Sequence, residues 1–258
     1  MSIPPQLAPA WWRTFRPAPA ASVRLACFPH AGGSASFYLP LARALAPQVE
    51  VVAAQYPGRQ DRYREPVVTS LAELARRCFE ALRPALDRPV VLFGHSMGAL
   101  LAYEVALLVQ DAGLAPPAHL IASGRRAPSC YRDDRFHRLP PAQLVAHIRA
   151  LRGTDASMLA DPDALRLILP ALRGDYRAVE TYRHDPARRF PGPVTVLTGT
   201  DDPMVTADEA SAWRRHASGP VDVLAMPGGH FFLADRVDEI AALVGDVAAG
   251  RHPGPPGR

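Results

Sequence analysis

Short apolar runs alternate with longer amphipathic segments along most of this chain. Two of the segments carry helix-start signals, Ser70 three residues before Glu73 and Thr206 three residues before Glu209, and a last helix is predicted over Val237–Ala248. The apolar runs have the length of buried strands: Val23–Phe28, Val49–Ala54, Val90–Phe93, Ala118–Ser123, Pro193–Thr198 and Val221–Met226. Strands that alternate with helices predict an α/β fold with a mostly parallel, doubly wound sheet.

The alternation stops between Gly124 and Phe190. No strand is predicted there, and the pattern instead predicts helical stretches around Pro141–Leu151, Pro162–Leu172 and Gly174–Tyr182. We therefore interpret residues 125–190 as a helical lid insertion, a mobile cap that gates a pocket.

The remaining residues form the predicted core, which combines residues 1–124 with residues 191–249. The start of the chain is rich in Pro and Ala, and we expect Trp11, Trp12 and Phe15 to anchor it on the core. Residues 250–258 read GRHPGPPGR and predict a disordered tail.

The strongest chemical signal lies in the stretch Pro89–Ala106. It contains Gly94-His95-Ser96-Met97-Gly98, a G-x-S-x-G motif between an apolar strand and a helix. This is the context of a nucleophile elbow, a tight turn that exposes its serine. The motif alone also fits an ordinary Gly-rich turn, but its flanking elements favour Ser96 as a nucleophile.

A serine hydroxyl needs a general base, and the base needs a carboxylate that orients it. His230 follows the strand Val221–Met226, and Asp202 follows the strand Pro193–Thr198. The carboxyl ends of parallel strands converge at one edge of a sheet, so these side chains can meet there. Asp201 competes with Asp202 for the acid role; we favour Asp202 because a Gly-x-x-Asp turn suits the acid loop.

An oxyanion hole requires two backbone N–H groups. We assign one to Met97, the residue after the nucleophile. We assign the other to Ala31, in the loop after the strand Val23–Phe28, where Gly32 and Gly33 allow close backbone approach. The same loop also fits an ordinary helix-capping turn.

Composition excludes several classes of protein. Apolar residues make up 48% of the chain, and all 29 basic residues are arginines. The net charge of +4 is modest and no basic run is interleaved with aromatic residues, so nucleic-acid binding is not expected. Cys27, Cys78 and Cys130 form no metal-ligand spacing, and we expect no metal or cofactor. Without a signal peptide or a membrane-length apolar stretch, we expect a soluble, cytoplasmic monomer.

Together, the motifs resemble the type II thioesterases that accompany modular polyketide synthases and non-ribosomal peptide synthetases. The resemblance spans residues 11–245 and includes Leu172–Tyr176 in the insertion. The motifs that carry it are Cys27–Gly33, Tyr56–Arg59, Gly94–Gly98 and Gly228–Phe232. It implies an α/β-hydrolase fold, and it places the triad on Ser96, Asp202 and His230 and the oxyanion amides on Met97 and Ala31.

The resemblance also implies a substrate. The family hydrolyses acyl groups from the phosphopantetheine arm of acyl or peptidyl carrier proteins, which clears stalled or aberrant chains and needs no cofactor. The residues alone lead only to a serine hydrolase with a helical cap. A carboxylesterase or an acyltransferase of the same fold is the alternative enzyme. A catalytically inactive binding module is a further alternative, against which the intact Ser, Asp and His argue.

Arginines are concentrated at the start of the insertion, whereas carrier proteins of this kind are acidic. We expect some of these arginines to steer a carrier toward the pocket, although a solvated basic face fits the pattern equally well. A second possible docking surface contains Arg59 and Arg62. The arginines at the start of the insertion are Arg125, Arg126, Arg132, Arg135 and Arg138.

Overall fold

The computed structural model describes residues 7–151 and 160–251. The tail predicted over 250–258 lies outside the described residues from residue 252 onward. The lid predicted over 125–190 is described except for residues 152–159.

Seven strands form one sheet in the described residues. The sheet order is β1-β3-β2-β4-β5-β6-β7, and every neighbouring pair is parallel except β1 and β3. The strands are β1 (Trp12–Thr14), β2 (Arg24–Phe28), β3 (Glu50–Ala54), β4 (Val90–His95), β5 (His119–Ser123), β6 (Val194–Gly199) and β7 (Val221–Met226). The predicted α/β class with a mostly parallel sheet is confirmed.

Helices cover both faces of this sheet. On one face, α2 and α3 pack in a cluster with residues of β2 and β4; on the other, α1 and α8 pack on alternate residues of the same strands. Burial of both faces explains why the strands are continuous apolar runs. The helices are α1 (Leu39–Leu45), α2 (Leu71–Leu82), α3 (Met97–Asp111), α4 (Pro141–Leu151), α5 (Pro162–Thr181), α6 (Ala207–Ser211), α7 (Phe232–Asp235) and α8 (Val237–Ala248). Short 3₁₀ turns cover Ala35–Tyr38, Gln60–Arg62, Arg83–Ala85, Phe136–Arg138 and Ala212–Arg215.

The two helix-start signals differ in their outcome. Thr206 and Glu209 form a reciprocal capping box at the start of α6. At the start of α2, the Ser70 hydroxyl accepts a hydrogen bond from the Glu73 N–H, but the Glu73 carboxylate accepts from Arg76 and Arg77. The predicted signal at Ser70 and Glu73 therefore caps α2 through the serine hydroxyl alone.

β1 is an element that the sequence pattern did not predict. It pairs antiparallel with β3, and the N–H of Gln55 extends this pairing by donating to the Trp11 carbonyl at 2.8 Å. Trp12 is 3% exposed and packs edge-on against the ring of Phe28. Trp12 therefore anchors the start of the chain on the core, as predicted, and it does so as the first residue of a short edge strand.

The segment between β5 and β6, hereafter the cap segment (residues 125–190), contains α4 and α5. The prediction of separate helices at 162–172 and 174–182 is wrong, because α5 runs through Gly174 without a break. Gly174 is buried, and a Cβ there would overlap the Val67 side chain, so this glycine permits close packing rather than ending a helix. Whether the cap segment acts as a lid stays a prediction.

The two halves of α5 lie in different surroundings. Before Pro170 its side chains are half-buried or exposed, and Leu167 is 61% exposed. After Pro170 the helix is buried at Ala171, Leu172 and Asp175. The C-terminal half is therefore part of the packed interior, whereas the N-terminal half borders solvent.

Among residues 7–151 and 160–251, helices long and apolar enough to cross a bilayer are absent.

Candidate active site

Ser96 lies on the sharp turn between β4 and α3. Its backbone has φ 54° and ψ −115°, a conformation that costs a non-glycine residue free energy. Its N–H donates to the Ser123 carbonyl at the end of β5, at 2.8 Å, which holds the turn against the neighbouring strand. A Cβ on Gly98 would overlap the carbonyl oxygen of Phe28, so a glycine is required where the turn meets the loop after β2. These features are those of a nucleophile elbow.

His230 and Asp202 meet at the same edge of the sheet, in the loops after β7 and β6. Nδ1 of His230 lies 2.9 Å and 3.0 Å from the two carboxylate oxygens of Asp202. The Asp202 side chain is fully buried and that of His230 is 3% exposed. Asp202 Oδ1 also accepts from the Met204 N–H at 2.8 Å, which fixes the carboxylate. Asp201, the competing acid, is exposed, and its carboxylate accepts from the Thr200 hydroxyl.

The imidazole of His230 lies beside the elbow. Its ring centroid is 5.1 Å from that of His95, the residue before Ser96, and 5.0 Å from that of Phe231. Gly124 leaves room for this contact, because a Cβ there would approach Cε1 of His95 to 2.5 Å and Cε1 of His230 to 3.4 Å. Aromatic packing therefore orients the ring whose Nδ1 binds the carboxylate.

Residues 29–33 follow β2 and border the elbow. They carry the predicted oxyanion donor Ala31, and for that prediction we call them the oxyanion loop. The Gly33 N–H donates to the His30 carbonyl at 2.9 Å, and Gly32 has φ +75°. Ala31 packs against both the main core and the apolar cluster of the cap segment. Met97 is buried as the first residue of α3. The two predicted oxyanion residues therefore lie on adjoining segments, and their roles belong to the proposal below.

Two other histidines at this edge are held neutral. Burial lowers the pKa of His30 from its ordinary value of 6.5 to about 3, with smaller contributions from His230 and Arg59. Burial also lowers the pKa of His95 well below its ordinary range, with smaller contributions from the neighbouring His230 and His30 rings. Both rings are therefore neutral imidazoles, without a positive charge, near neutral pH.

A cleft of about 680 Å³ opens beside the oxyanion loop. One wall is polar or aromatic and includes Phe37, Arg59 and Tyr63, from the segments after β2 and β3. The other wall is the N-terminal half of α5, with Ala164, Leu167, Ile168 and Ala171. Its apolar wall suits a hydrocarbon chain.

The arginines predicted to dock a carrier are largely engaged within the molecule. Arg126 is 5% exposed and pairs with Asp134, so it is not one of the arginines in this cluster that a carrier could reach. Burial and the neighbouring Arg126 lower the pKa of Arg125 to about 9. Arg132 forms a two-bond ion pair with Glu209.

The alternative docking surface is buried as well. Arg59 and Arg62 are each 7% exposed, and they pair with Asp175 and Glu65. Of the arginines in the predicted cluster, Arg135 and Arg138 remain exposed.

One contact at this edge was not predicted. Asp175 on α5 binds Arg59 and the Gly32 N–H. Arg59 and Asp175 each belong to a motif that carries the family resemblance. They are 116 positions apart in the sequence, and no periodicity predicts their contact.

Comparison with known proteins identifies the class of the chain. The family model described as a thioesterase domain matches residues 23–247. A probable cadicidin biosynthesis thioesterase from Streptomyces griseus is 50% identical over 95% of this chain and 67% of its own length. Thioesterase PikA5 from Streptomyces venezuelae is 46% identical over 92% of this chain and 84% of its own length.

Comparison with solved structures leads to the same class of protein. The type II thioesterase BorB from the borrelidin biosynthetic cluster superposes with a TM-score of 0.87 at 46% identity, over 93% of this chain and 98% of its own. The chain belongs to the thioesterase family, serine hydrolases with the α/β-hydrolase fold. The resemblance to the type II thioesterases, predicted from the motifs, is confirmed.

Proposed function

We propose that this enzyme hydrolyses acyl groups from the phosphopantetheine arm of acyl or peptidyl carrier proteins, and that it thereby removes stalled or aberrant chains from a synthase. The nucleophile is Ser96, the general base is His230 and the orienting acid is Asp202. The backbone N–H groups of Met97 and Ala31 bind the oxyanion.

The observation that carries this proposal is the buried His230–Asp202 pair beside the strained Ser96. A carboxylate on Nδ1 leaves Nε2 of the imidazole as the nitrogen that can accept a proton. It also stabilises the imidazolium that forms when the base takes that proton. A serine on such a turn presents its hydroxyl above the edge of the sheet.

The reaction proceeds in two steps. Ser96 Oγ attacks the thioester carbonyl carbon while its proton passes to Nε2 of His230. The C–S bond then breaks, the thiol leaves with that proton, and an acyl ester on Ser96 remains. Water attacks this ester while His230 takes one of its protons, the C–O bond to Ser96 breaks, Ser96 Oγ takes that proton, and the acid is released. No metal or cofactor takes part in this scheme.

Two observations support an acyl thioester as the substrate. The cleft beside the oxyanion loop has an apolar wall on α5, which suits an acyl chain. Relatives named as a cadicidin biosynthesis thioesterase and as a type II thioesterase from a yersiniabactin NRPS/PKS pathway act in assembly-line biosynthesis, where chains are carried as thioesters.

The first experiment follows Ser96→Ala with an acyl-loaded carrier protein and intact-mass detection. We expect the variant to fold normally and to lose turnover by at least about a thousandfold, because triad members act as a unit. A fluorophosphonate should label the wild type once and leave the variant unlabelled.

Ser211→Ala is the matched control, since Ser211 is exposed at the end of α6. Near-normal hydrolysis by Ser96→Ala would contradict the proposed nucleophile. Labelling of Ser96 together with hydrolysis of simple esters but not of carrier-bound thioesters would instead favour a carboxylesterase.

A further inference from the structure

One face of α5 is in direct contact with the oxyanion loop. Asp175 Oδ2 accepts a hydrogen bond from the Gly32 N–H at 2.8 Å. Leu172, three residues earlier and therefore on the same face, packs on the loop so closely that a Cβ on Gly32 would lie 2.7 Å from its Cδ1. The Asp175 side chain is fully buried. The cap segment thus contributes a buried carboxylate to the loop that carries Ala31.

Arg59 holds this carboxylate from the opposite side. Its Nη1 and Nη2 donate to the two Asp175 oxygens at 2.6 Å and 2.9 Å. Nη1 also donates to the Gly33 carbonyl at 3.1 Å, and Nε donates to the Pro57 carbonyl at 3.3 Å. Burial acts to lower the pKa of Arg59, but the Asp175 carboxylate outweighs it and raises that pKa, so the guanidinium stays charged. Arg59 therefore orients Asp175 and binds the loop in the same arrangement.

These bonds fix the direction of the Ala31 N–H. A trans peptide unit is planar, with its C=O and N–H pointing opposite ways. The carbonyl of the His30–Ala31 peptide accepts from the Gly33 N–H, and the N–H of the next peptide, that of Gly32, donates to Asp175. Both peptide planes that flank Ala31 are consequently held, and with them the direction of its N–H.

Stability alone is a poor reason for such a pair. A buried ion pair often contributes less to the free energy of folding than apolar side chains of equal volume, because both charges must be desolvated. What the pair supplies is geometry, since two of the three further hydrogen bonds formed by its side chains are directed at consecutive residues of one loop, Gly32 and Gly33.

We propose that Asp175, oriented by Arg59, is a positioning residue for the oxyanion hole, and that the C-terminal half of α5 is part of the catalytic apparatus. This inference rests on the proposed function, because it takes the Ala31 N–H as an oxyanion donor. It predicts that loss of the Asp175 carboxylate lowers the rate of attack on the acyl carbon more than it lowers substrate binding.

A matched control is available at the opposite end of the strands. Arg24, the first residue of β2, donates to Glu50, the first residue of β3, at 2.8 Å. Their side chains are 7% and 12% exposed, close to the burial of the Arg59–Asp175 pair. This pair lies at the amino ends of the strands, away from Ser96. A purely structural role for Asp175 predicts that the two pairs respond alike to substitution.

The experiment compares Asp175→Asn with Glu50→Gln. Each is scored by thermal stability, by the stoichiometry and rate of fluorophosphonate labelling, and by the Kd of an alkyl boronic acid. The transition state of labelling and the tetrahedral boronate adduct both place a negatively charged oxygen in the oxyanion hole. We expect full stoichiometry for both variants, labelling about tenfold to a hundredfold slower for Asp175→Asn, and boronate binding weakened by a similar factor. Glu50→Gln should label at the wild-type rate, and the kcat of Asp175→Asn on an acyl thioester should fall more than its KM rises.

Equal labelling rates for Asp175→Asn and Glu50→Gln would overturn the inference. Should Asp175→Asn fail to fold, Arg59→Lys replaces it, because lysine keeps the charge but loses the two-bond pairing and the rigid fork. We expect an intermediate labelling rate for that variant, and a wild-type rate would overturn the inference. Failure of the proposed function looks different: the wild type then does not label, or Ser96→Ala keeps its turnover.

Discussion

The catalytic edge of the sheet and the cap segment organise their side chains in different ways. At the edge, Ser96, Asp202 and His230 lie on short loops after parallel strands, and the two side chains of the acid–base pair are almost fully buried. In the cap segment, one helix changes from exposed to buried at Pro170. The border between core and cap therefore does not follow the chain, since the C-terminal half of α5 is buried at Ala171, Leu172, Gly174, Asp175 and Ala178 while its N-terminal half borders solvent.

The largest expected effect concerns the acid at the edge. Asp202→Asn removes the charge that stabilises the imidazolium and allows the wrong tautomer of His230, and we expect kcat to fall about 10²- to 10⁴-fold. Asp201→Asn is the matched control, because Asp201 is exposed, and we expect it to lose less than about threefold. Steady-state hydrolysis of an acyl thioester measures both variants. The reverse ranking would assign the acid role to Asp201.

The next prediction compares how much stability is lost when a leucine is truncated in each half of α5. Leu172 is 5% exposed and Leu167 is 61% exposed. Leu172→Ala should lower the free energy of unfolding by about 2–4 kcal/mol, because it leaves a cavity in a packed cluster. Leu167→Ala should change it by less than about 0.5 kcal/mol, since its side chain is already solvated. Urea unfolding monitored by circular dichroism measures both variants.

The wild type allows the same test by hydrogen exchange. Amides of residues 162–169 should exchange faster than those of 171–181 and slow down when an acyl phosphonate occupies Ser96. Uniform protection along α5, or equal destabilisation by the two leucine variants, would remove the distinction between the halves and with it the expectation of a mobile lid.

A smaller effect follows from the neutral histidines at the edge. The pKa of His30 is about 3 in the folded protein and 6.5 in its ordinary state, so the unfolded chain binds more protons between these values. Stability must therefore rise with pH through this window and be lost as pH falls, by about 1.4 kcal/mol per pH unit for one histidine. His30→Asn should remove about 2 kcal/mol of the stability difference between pH 7 and pH 5. Denaturant titrations at both pH values measure it, and an unchanged difference would show that His30 is protonated in the folded state.

The smallest effect concerns carrier docking. Arg135 and Arg138 are the exposed members of the predicted cluster, and Arg135 already pairs with the exposed Asp133. Replacing both with Ala should lower kcat/KM for an acyl-carrier protein about two- to fivefold at low salt, because exposed charges act mainly on the association rate. A small acyl thioester without a carrier serves as the control and should be unaffected. Equal losses for both substrates would point to the cap segment's folding, and no loss to a different docking surface.

Secondary-structure elements were predicted most accurately from the sequence where the hydrophobic periodicity matches the pattern of burial. The pattern predicted β7 and α8 with their observed bounds, and the glycines around Ser96 predicted the elbow, because these features depend on local geometry. The carboxyl ends of parallel strands made Asp202 and His230 predictable neighbours. β1 was missed because three residues in a Pro-rich segment carry no alternation of their own. The break predicted at Gly174 was wrong because this glycine packs against Val67, which is distant in sequence. The burial of Arg126 depends on its ion pair with Asp134, eight residues further along the chain, which no periodicity indicates.

The short strand β1 has a consequence for the association of this protein with itself. Without it, the backbone of β3 would present unpaired N–H and C=O groups along a largely apolar strand, a template for pairing with another chain. Three residues close that edge, and Arg62 secures them by stacking its guanidinium on Trp11 at 4.3 Å and donating to the Ala10 carbonyl at 3.0 Å. The three residues of β1 therefore cover this edge of β3, and a preparation shortened past Trp12 should lose solubility before it loses the pairing of His230 with Asp202.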